Sequence, residues 1–466
     1  MFFILFLVGI TIVRLAVSTQ LPLIGDESFY WLLSQRLDIG YSDHPPLIAY
    51  YIRLMTTIFG QNDLAFRLGA IILISATTFL IYKITRELFN HRTGVLATVL
   101  FSLTPMFFGG SFFLIPQQLF FFFWTLSFYL FVKLHKNGHA DLWYWLGVTV
   151  GLGLLSDYIM GLFFFGVGLF LLIVPSQRHW WSKREPWLAM LIALAIFSPV
   201  IIWNIKLGIF APAHFLAYRG SHTPNHLNNV VSFLGLALIL YTPILVRNLV
   251  VLFIMLFRKT NEKILLLAAL STPVFLAFLA ISPFILVGGH WPAVAYISSV
   301  IFLAHHHHGR RRMIVVFLFF ALLANIAALS HYLLLYPIPK ELQGQVKTIN
   351  KALPQFLKEA APASGQTYYY ANNLGVAGLV AFHGQVKTYL PEGKLKQFDL
   401  WGRPELKPGD NVIFFVLNQK ELPDKLRPLF NSVIREEQKR LFTKDADIPA
   451  KTEIYHCLGF KDGTLP

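Results

Sequence analysis

The 27-residue stretch GDESFYWLLSQRLDIGYSDHPPLIAYY, which begins at Gly25, concentrates acidic side chains. The residues in question are Asp26, Glu27, Asp38 and Asp43, followed directly by His44. The first 336 positions contain ten acidic residues, and four of them lie in this stretch. A carboxylate there can act as a general base or bind a divalent cation. An Asp-Glu pair can also form a solvated turn or cap a helix. The crowding of carboxylates in this stretch favours a catalytic or cation-binding role instead.

The composition is that of a polytopic membrane protein with a water-soluble tail. Of 466 residues, 55% are hydrophobic and 14% are charged. Residues 1–336 hold 31 charged side chains, whereas residues 337–466 hold 32 in a much shorter length. We therefore predict an all-α transmembrane domain over 1–336, with a long first outer loop at 19–64, and a small soluble α/β domain over 337–466. The single cysteine, Cys457, excludes an intramolecular disulfide.

Apolar runs long enough to cross a bilayer number about eleven. They lie near 1–18, 65–83, 94–109, 112–133, 143–157, 160–175, 187–203, 229–257, 263–287, 292–306 and 313–336. The first run lacks a basic leader and a small-residue cleavage site, so we expect a retained helix and not a signal peptide.

Basic residues in the short loops predict the orientation. Fourteen lysines and arginines lie in alternate loops that we expect to be cytoplasmic, from Lys83 to Arg312. The N-terminus is then cytoplasmic, and the acidic first loop and the tail are extracytoplasmic. The net charge of +15 follows from this bias, so we do not expect a nucleic-acid partner.

Several shorter elements are also expected. In the first loop, Ser28–Leu37 and Pro46–Phe59 suit helices lying at the membrane interface. In the tail, the pattern predicts strands at Thr367–Tyr370 and Asn411–Leu417 and helices at Lys340–Glu359 and Gly375–Phe382.

Several polar residues outside the first loop could belong to a binding site or could have a purely structural role. Arg219 and His290 stand at outer ends of helices, where a cation can bind a lipid phosphate or a bulk headgroup. Arg14 and Asp157 are costly in lipid and should face protein or water. The histidine tract 305–308 falls in an inner loop, and we interpret it as a polar membrane boundary and not a metal site.

The first loop resembles the membrane-embedded C-type glycosyltransferases (GT-C) related to the dolichyl-phosphate-mannose protein mannosyltransferases and to the bacterial aminoarabinose transferase of lipid A. It is most similar to the bacterial branch that decorates lipopolysaccharide. The residues that carry the resemblance are Asp26-Glu27 with Tyr30, Gly40–Leu47 (GYSDHPPL), Ser198-Pro199, Trp203-Asn204, and His290-Trp291-Pro292 with Tyr296. Two departures stand out. Pro116-Gln117 occupies a place where Pro-Asp is frequent, and Asp157-Tyr158 a place where Lys-Tyr is expected.

The resemblance implies a bacterial inner-membrane enzyme that moves a sugar, with inversion, from a polyprenyl phosphate to an extracytoplasmic acceptor. The acceptor would be lipid A or lipopolysaccharide, another envelope glycan, or a protein. Asp26 would remove the acceptor proton, or orient an acceptor that is already an anionic phosphate. Glu27 and Asp43 would shape the site or hold a divalent cation, for which Asp26 and Asp43 are the candidate ligands. Tyr30, His44, Arg219 and His290 would bind the donor phosphate or substrate.

Two other classes of protein share the hydropathy pattern. A transporter or lipid flippase would place its polar residues near the bilayer midplane, whereas here they gather at one surface. A non-enzymatic membrane anchor for the outer domain would not need the carboxylates.

Overall fold

In the computed structural model, the described part of the chain is mostly helical and ends in a five-stranded sheet. The structure describes residues 2–21, 23–208, 226–258, 260–306, 311–332, 349–362, 364–391, 396–417, 422–435, 452–463 and 465. Contacts divide the chain into two compact units. Unit 1 comprises Met1–Ser18, Asp38–Tyr51 and Arg67–Leu329, and unit 2 comprises Thr19–Leu37, Ile52–Phe66 and Ser330–Pro466. The predicted domain boundary at residue 336 stays a prediction.

The helices follow the apolar segments of the chain. They are α1 Phe2–Ser18, α2 Gly25–Gln35, α3 Leu47–Phe59, α4 Asp63–Leu88, α5 His91–Leu103, α6 Pro105–Gly109, α7 Pro116–Asn137, α8 Leu142–Leu154, α9 Gly161–Ile173, α10 Glu185–Leu207, α11 His226–Met255, α12 Glu262–Ile281, α13 Ala293–His306, α14 Arg311–Tyr332, α15 Ile349–Ala360, α16 Leu374–Gly384, α17 Lys396–Trp401 and α18 Leu422–Leu426. Short 3-10 turns occupy Gly110–Phe112, Tyr158–Met160, Pro175–Ser182 and Arg427–Leu429.

The chain is a multi-pass membrane protein. Among the described residues, six helices, α4, α7, α10, α11, α12 and α14, are long and apolar enough to cross a membrane, or eight spans result if two bent helix pairs each count as one. The bends are 70° between α5 and the following α6 segment and 118° between α9 and the Pro175 turn. Three other predicted spans correspond to α1, α8 and α13, which have 17, 13 and 14 residues. Each predicted span therefore falls on an apolar helix, but the count of eleven is not confirmed.

Within unit 1, α8 and α10 run in parallel and pack through small residues. A Cβ placed on Gly147 would come within 2.5 Å of the Ala189 carbonyl oxygen, and one on Gly151 within 3.1 Å of the Ala193 Cα. Such close backbone approach is how small residues hold helices together in membranes. Because the two helices are parallel, their C-terminal ends lie at the same end of the pair.

Within unit 2, the sheet has the order β2-β1-β3-β5-β4. The strands are β1 Thr367–Ala371, β2 Thr388–Tyr389, β3 Asn411–Leu417, β4 Phe430–Arg435 and β5 Thr452–Phe460. Strand β1 pairs in parallel with β2 and β3, and β5 is antiparallel to β3 and β4. This arrangement confirms the small α/β domain predicted for the tail. The predicted strands and Gly375–Phe382 helix are present, and of the Lys340–Glu359 helix the described part begins at Ile349.

Candidate functional site

Helix α2 carries three of the predicted site residues, Asp26, Glu27 and Tyr30. Asp26 is exposed in its first turn, where the positive end of the helix dipole stabilises a carboxylate. Glu27 is fully buried, and its Oε2 accepts a hydrogen bond of 3.1 Å from the Ile24 backbone N–H. Tyr30 is buried on the same helix. Glu27 therefore fixes the start of the helix that presents Asp26 to solvent.

Helix α2 packs against α16 of the C-terminal region, within unit 2. A Cβ on Gly375 would come within 2.8 Å of the Gly25 Cα, so only glycines allow this crossing. The Ser28 hydroxyl shares its single proton between the carbonyl oxygens of Gly25, at 2.8 Å, and Gly375, at 3.3 Å. Further along, the Trp31 ring contacts the edge of Phe382 at 5.1 Å between centroids.

The end of α2 is also held by this region. The Arg36 guanidinium lies over the Trp401 ring at 4.7 Å, a cation–π contact. The position of the Asp26 carboxylate thus depends on residues almost 350 positions away in sequence.

Asp43 and His44 belong to a second structured element, in unit 1, formed by residues 38–47 and called here the Asp43 segment. Both side chains are half-buried. The segment is tied at its end by the Leu47 N–H, which donates to the Leu155 carbonyl oxygen at 2.9 Å. The Ser42 hydroxyl donates to Asp43 Oδ2 at 3.3 Å. The DHPPL sequence is therefore docked on the C-terminal end of α8.

The start of the Asp43 segment is fixed by Trp203 of α10. Trp203 Nε1 donates to Asp38 Oδ2 at 3.2 Å. Gly40 faces the same ring so closely that a Cβ there would lie 2.8 Å from two of its carbons. The hydroxyl of Tyr41 accepts from the Asp38 N–H at 3.1 Å, and that of Tyr50 donates to the Asp38 carbonyl at 3.0 Å.

Asp157 and Tyr158 lie beside this segment, because the turn that contains them follows α8 directly. Both Asp43 and Asp157 lie within electrostatic range of the Tyr158 hydroxyl, and Asn204 is adjacent to it. Asp157 Oδ1 accepts from the Ile159 N–H at 3.0 Å. Burial raises the pKa of Asp157 to about 6, against the smaller opposing effect of that hydrogen bond. Two carboxylates, a phenol and an amide therefore gather at one end of the α8–α10 pair, a set suited to binding hydroxyl groups of a sugar.

Of the three residues predicted to bind the donor phosphate through positive charge, the structure describes two. His44 lies in the Asp43 segment. His290 is half-buried in a separate turn before α13, which the Tyr241 hydroxyl holds by donating to the Gly289 carbonyl at 2.7 Å. Arg219 lies outside the described residues. The roles assigned to all of these site residues stay predictions.

The metal prediction also stays open. Among the residues that the structure describes, no group of three or more His, Cys, Asp or Glu side chains could hold a metal ion. Asp26 and Asp43, the two predicted ligands, belong to different compact units.

Sequence reasoning missed the contacts that hold the site together. Gly40 and Trp203 belong to the motifs that carry the resemblance and Gly375 begins a predicted helix, but nothing in their spacing indicates which residue each one contacts. It also missed Arg67, a buried residue whose Nη1 donates to the Phe112 carbonyl oxygen at 2.7 Å.

Comparison with known proteins shows which family and which relatives this chain is similar to. Residues 43–203, which include Asp43 to Leu47 of the Asp43 segment, all of α8 and most of α10, match the model of the family described as dolichyl-phosphate-mannose-protein mannosyltransferase. A lipid A galacturonosyltransferase, RgtD of Rhizobium johnstonii, is 28% identical over 183 residues. That match covers 39% of this chain and 38% of the length of RgtD.

The fold is similar to that of ArnT from Cupriavidus metallidurans. The crystal structure of ArnT bound to undecaprenyl phosphate has a TM-score of 0.71 and 13% identity, and that of the apo state has 0.65 and 12%. Each likeness covers 97% of both chains. At this identity the likeness establishes the fold alone. Together the comparisons confirm the predicted resemblance to the GT-C glycosyltransferases and the predicted fold class.

Proposed function

We propose that this protein transfers a sugar from a polyprenyl phosphate to an acceptor on the outer side of the bacterial inner membrane. The observation that carries the proposal is the Asp43 segment, docked on α8 and α10, whose residues from Asp43 onward lie in the stretch of chain that matches the mannosyltransferase family model. RgtD is named for its action on lipid A, and ArnT was crystallised with undecaprenyl phosphate. These names support a lipid-linked donor and a lipid A or lipopolysaccharide acceptor.

Asp26 is the proposed general base. It is exposed at the start of a helix, so an acceptor hydroxyl can reach it, while the buried Glu27 fixes the helix start. The base removes the acceptor proton as the new glycosidic bond forms and the polyprenyl phosphate leaves. Attack opposite the leaving group inverts the anomeric centre. If the acceptor is a phosphate, Asp26 orients it instead of removing a proton.

The Asp43 segment is the proposed contact for the donor sugar. Asp43, Asp157 and Asn204 offer acceptors and donors for sugar hydroxyls around Tyr158. His44, His290 and Arg219 are proposed as the positive groups that stabilise the leaving phosphate.

The proposed orientation places the N-terminus in the cytoplasm and the C-terminal domain in the periplasm, as the basic loops indicate.

The decisive experiment compares the envelope of cells with and without the gene. Mass spectrometry of lipid A, lipopolysaccharide and envelope proteins should reveal one missing sugar, whose mass identifies the donor and whose carrier identifies the acceptor. In purified form, the enzyme should transfer sugar from a polyprenyl phosphate and not from a nucleotide sugar. Transfer from a nucleotide sugar with no lipid carrier would overturn the proposal.

A further inference from the structure

A cavity of about 570 Å³ lies in unit 1 at the opposite end of the α8–α10 pair from the Asp43 segment. The end of α7, the turn before α8, the Pro175–Ser182 turn and the start of α10 form its walls. The lining side chains include His135, Lys136, His179, Trp180, Lys183 and Glu185. The buried Trp180 packs against Trp143 at 5.5 Å between ring centroids. The cavity has no place in the proposed transfer reaction.

The charged side chains in the cavity suit a ligand that carries both a negative and a positive group. Lys136 already forms an ion pair with Glu87 at 2.7 Å. Lys183 forms no salt bridge within the part of the chain that the structure describes, so its ammonium can meet an anion. Two residues on, Glu185 Oε2 is buried and has no hydrogen-bond partner among the described residues. A buried carboxylate oxygen without a donor is costly, and an ammonium ligand would supply that donor.

The surroundings of the cavity indicate that the ligand is a lipid. Trp181 and Trp187 are 43% and 48% exposed, as expected of tryptophans at the headgroup level. From the cavity, α10 leads into the apolar layer, and only 22% of its apolar membrane-spanning stretch is buried. Its exposed Met190, Leu191 and Leu194 offer a surface for acyl chains. Basic pockets between membrane helices are known headgroup sites.

We propose that this cavity binds the headgroup of a phospholipid that carries a primary ammonium beside its phosphate, of the phosphatidylethanolamine type. Lys183 and His179 contact the phosphate, and Glu185 accepts a hydrogen bond from the ammonium. A choline headgroup has the same charges but no N–H to donate, so the cavity distinguishes the two lipids.

The test measures lipid binding by the full-length protein in nanodiscs that contain dioleoylphosphatidylethanolamine or dioleoylphosphatidylcholine in a neutral carrier. We expect about tenfold tighter retention of the ethanolamine lipid by native mass spectrometry, the effect of one hydrogen bond to a charged group. Glu185→Gln should remove this preference, and Lys183→Ala should weaken binding of both lipids. Lys206→Ala, a cation at the other end of α10, is the matched control and should change neither.

Equal retention of the two lipids by the wild-type protein would overturn the proposal. A preference that survives in Glu185→Gln would overturn the role of Glu185. Soluble glycerophosphoethanolamine and inorganic phosphate are then added separately as competitors of the lipid. If either competes as well as the lipid, the cavity is a site for a soluble phosphate and not for a membrane lipid.

Discussion

Gly378 of α16 lies directly against Ser28 of α2, so that a Cβ on Gly378 would come 2.5 Å from the Ser28 Oγ and 2.7 Å from its carbonyl carbon. Ser28 is two residues from Asp26. The helix that presents the proposed base is therefore held by backbone contact with the C-terminal region, and any side chain at position 378 must push the two helices apart.

Gly378→Ala should consequently lower the turnover of sugar transfer. Overpacking of this kind costs about 1–3 kcal/mol, and a displacement near 1 Å can cost about a hundredfold in rate. We expect kcat to fall at least tenfold while the KM for the lipid donor changes little, because the donor contacts lie elsewhere. Gly235→Ala is the matched control, since a Cβ there meets nothing within 4 Å. An unchanged kcat in Gly378→Ala would show that this helix contact does not position Asp26.

Asp26→Asn should abolish most of the transfer to a hydroxyl acceptor while the protein still folds. The amide conserves shape but cannot take a proton, and loss of a general base costs about two to four orders of magnitude in rate. Turnover by purified enzyme provides the measurement, with Asp141→Asn as a control at an exposed site preceding α8. A variant that keeps more than half of the wild-type turnover would remove Asp26 from the mechanism. If Asp26→Asn is inactive and Gly378→Ala is fully active, the proposed function stands and only the role of the helix contact fails.

Gly40→Ala should disturb the Asp43 segment, because the new methyl group would overlap the Trp203 ring. We expect the KM for the lipid donor to rise several-fold, together with a lower kcat. Trp203→Phe keeps most of the ring but loses the hydrogen bond to Asp38, and should have a smaller effect in the same direction. Gly109→Ala, where a Cβ has open space, should behave as wild type. Donor kinetics that match the wild type in Gly40→Ala would argue against the Asp43 segment as part of the donor site.

Asp157→Asn should stabilise the protein at alkaline pH. The folded-state pKa of about 6 lies above the ordinary value of 3.8, so the folded state is penalised wherever the carboxylate is charged. That penalty is fully present above pH 6 and disappears as the pH falls through 6 towards 3.8. Two pKa units correspond to at most about 3 kcal/mol. Thermal unfolding in detergent should show a higher Tm for the variant at pH 8 and a shrinking difference towards pH 4. A difference that is constant with pH would refute the raised pKa.

The orientation predicts that alkaline phosphatase fused after Pro337 is active and that the same enzyme fused after Arg312 is inactive, because phosphatase folds only outside the cytoplasm. Expression of both fusions is checked by immunoblot. The reverse pattern would place the acidic loop in the cytoplasm and would make a nucleotide-sugar donor reasonable again.

Hydropathy and residue type were enough to identify which segments are apolar helices and which loop carries the carboxylates. Hydropathy placed each predicted span on an observed apolar helix, and the Asp-Glu and GYSDHPPL motifs were sufficient to identify the GT-C resemblance. It did not determine the number of spans, because an apolar window does not report where a helix ends or bends. Helix α8, for example, has only 13 residues, and the chain turns by 118° after α9.

The contacts that hold the proposed site residues become visible only in the folded chain. The Trp203–Asp38 hydrogen bond joins residues 165 positions apart, and the Ser28–Gly375 hydrogen bond joins residues 347 positions apart. Local sequence periodicity determines which face of a helix is apolar, but not which other helix covers that face. The glycines at 25, 375 and 378 were therefore unremarkable in sequence, and Gly40 stood out only as part of the GYSDHPPL motif. In the structure they are the positions where a single added methyl group would move a proposed catalytic element.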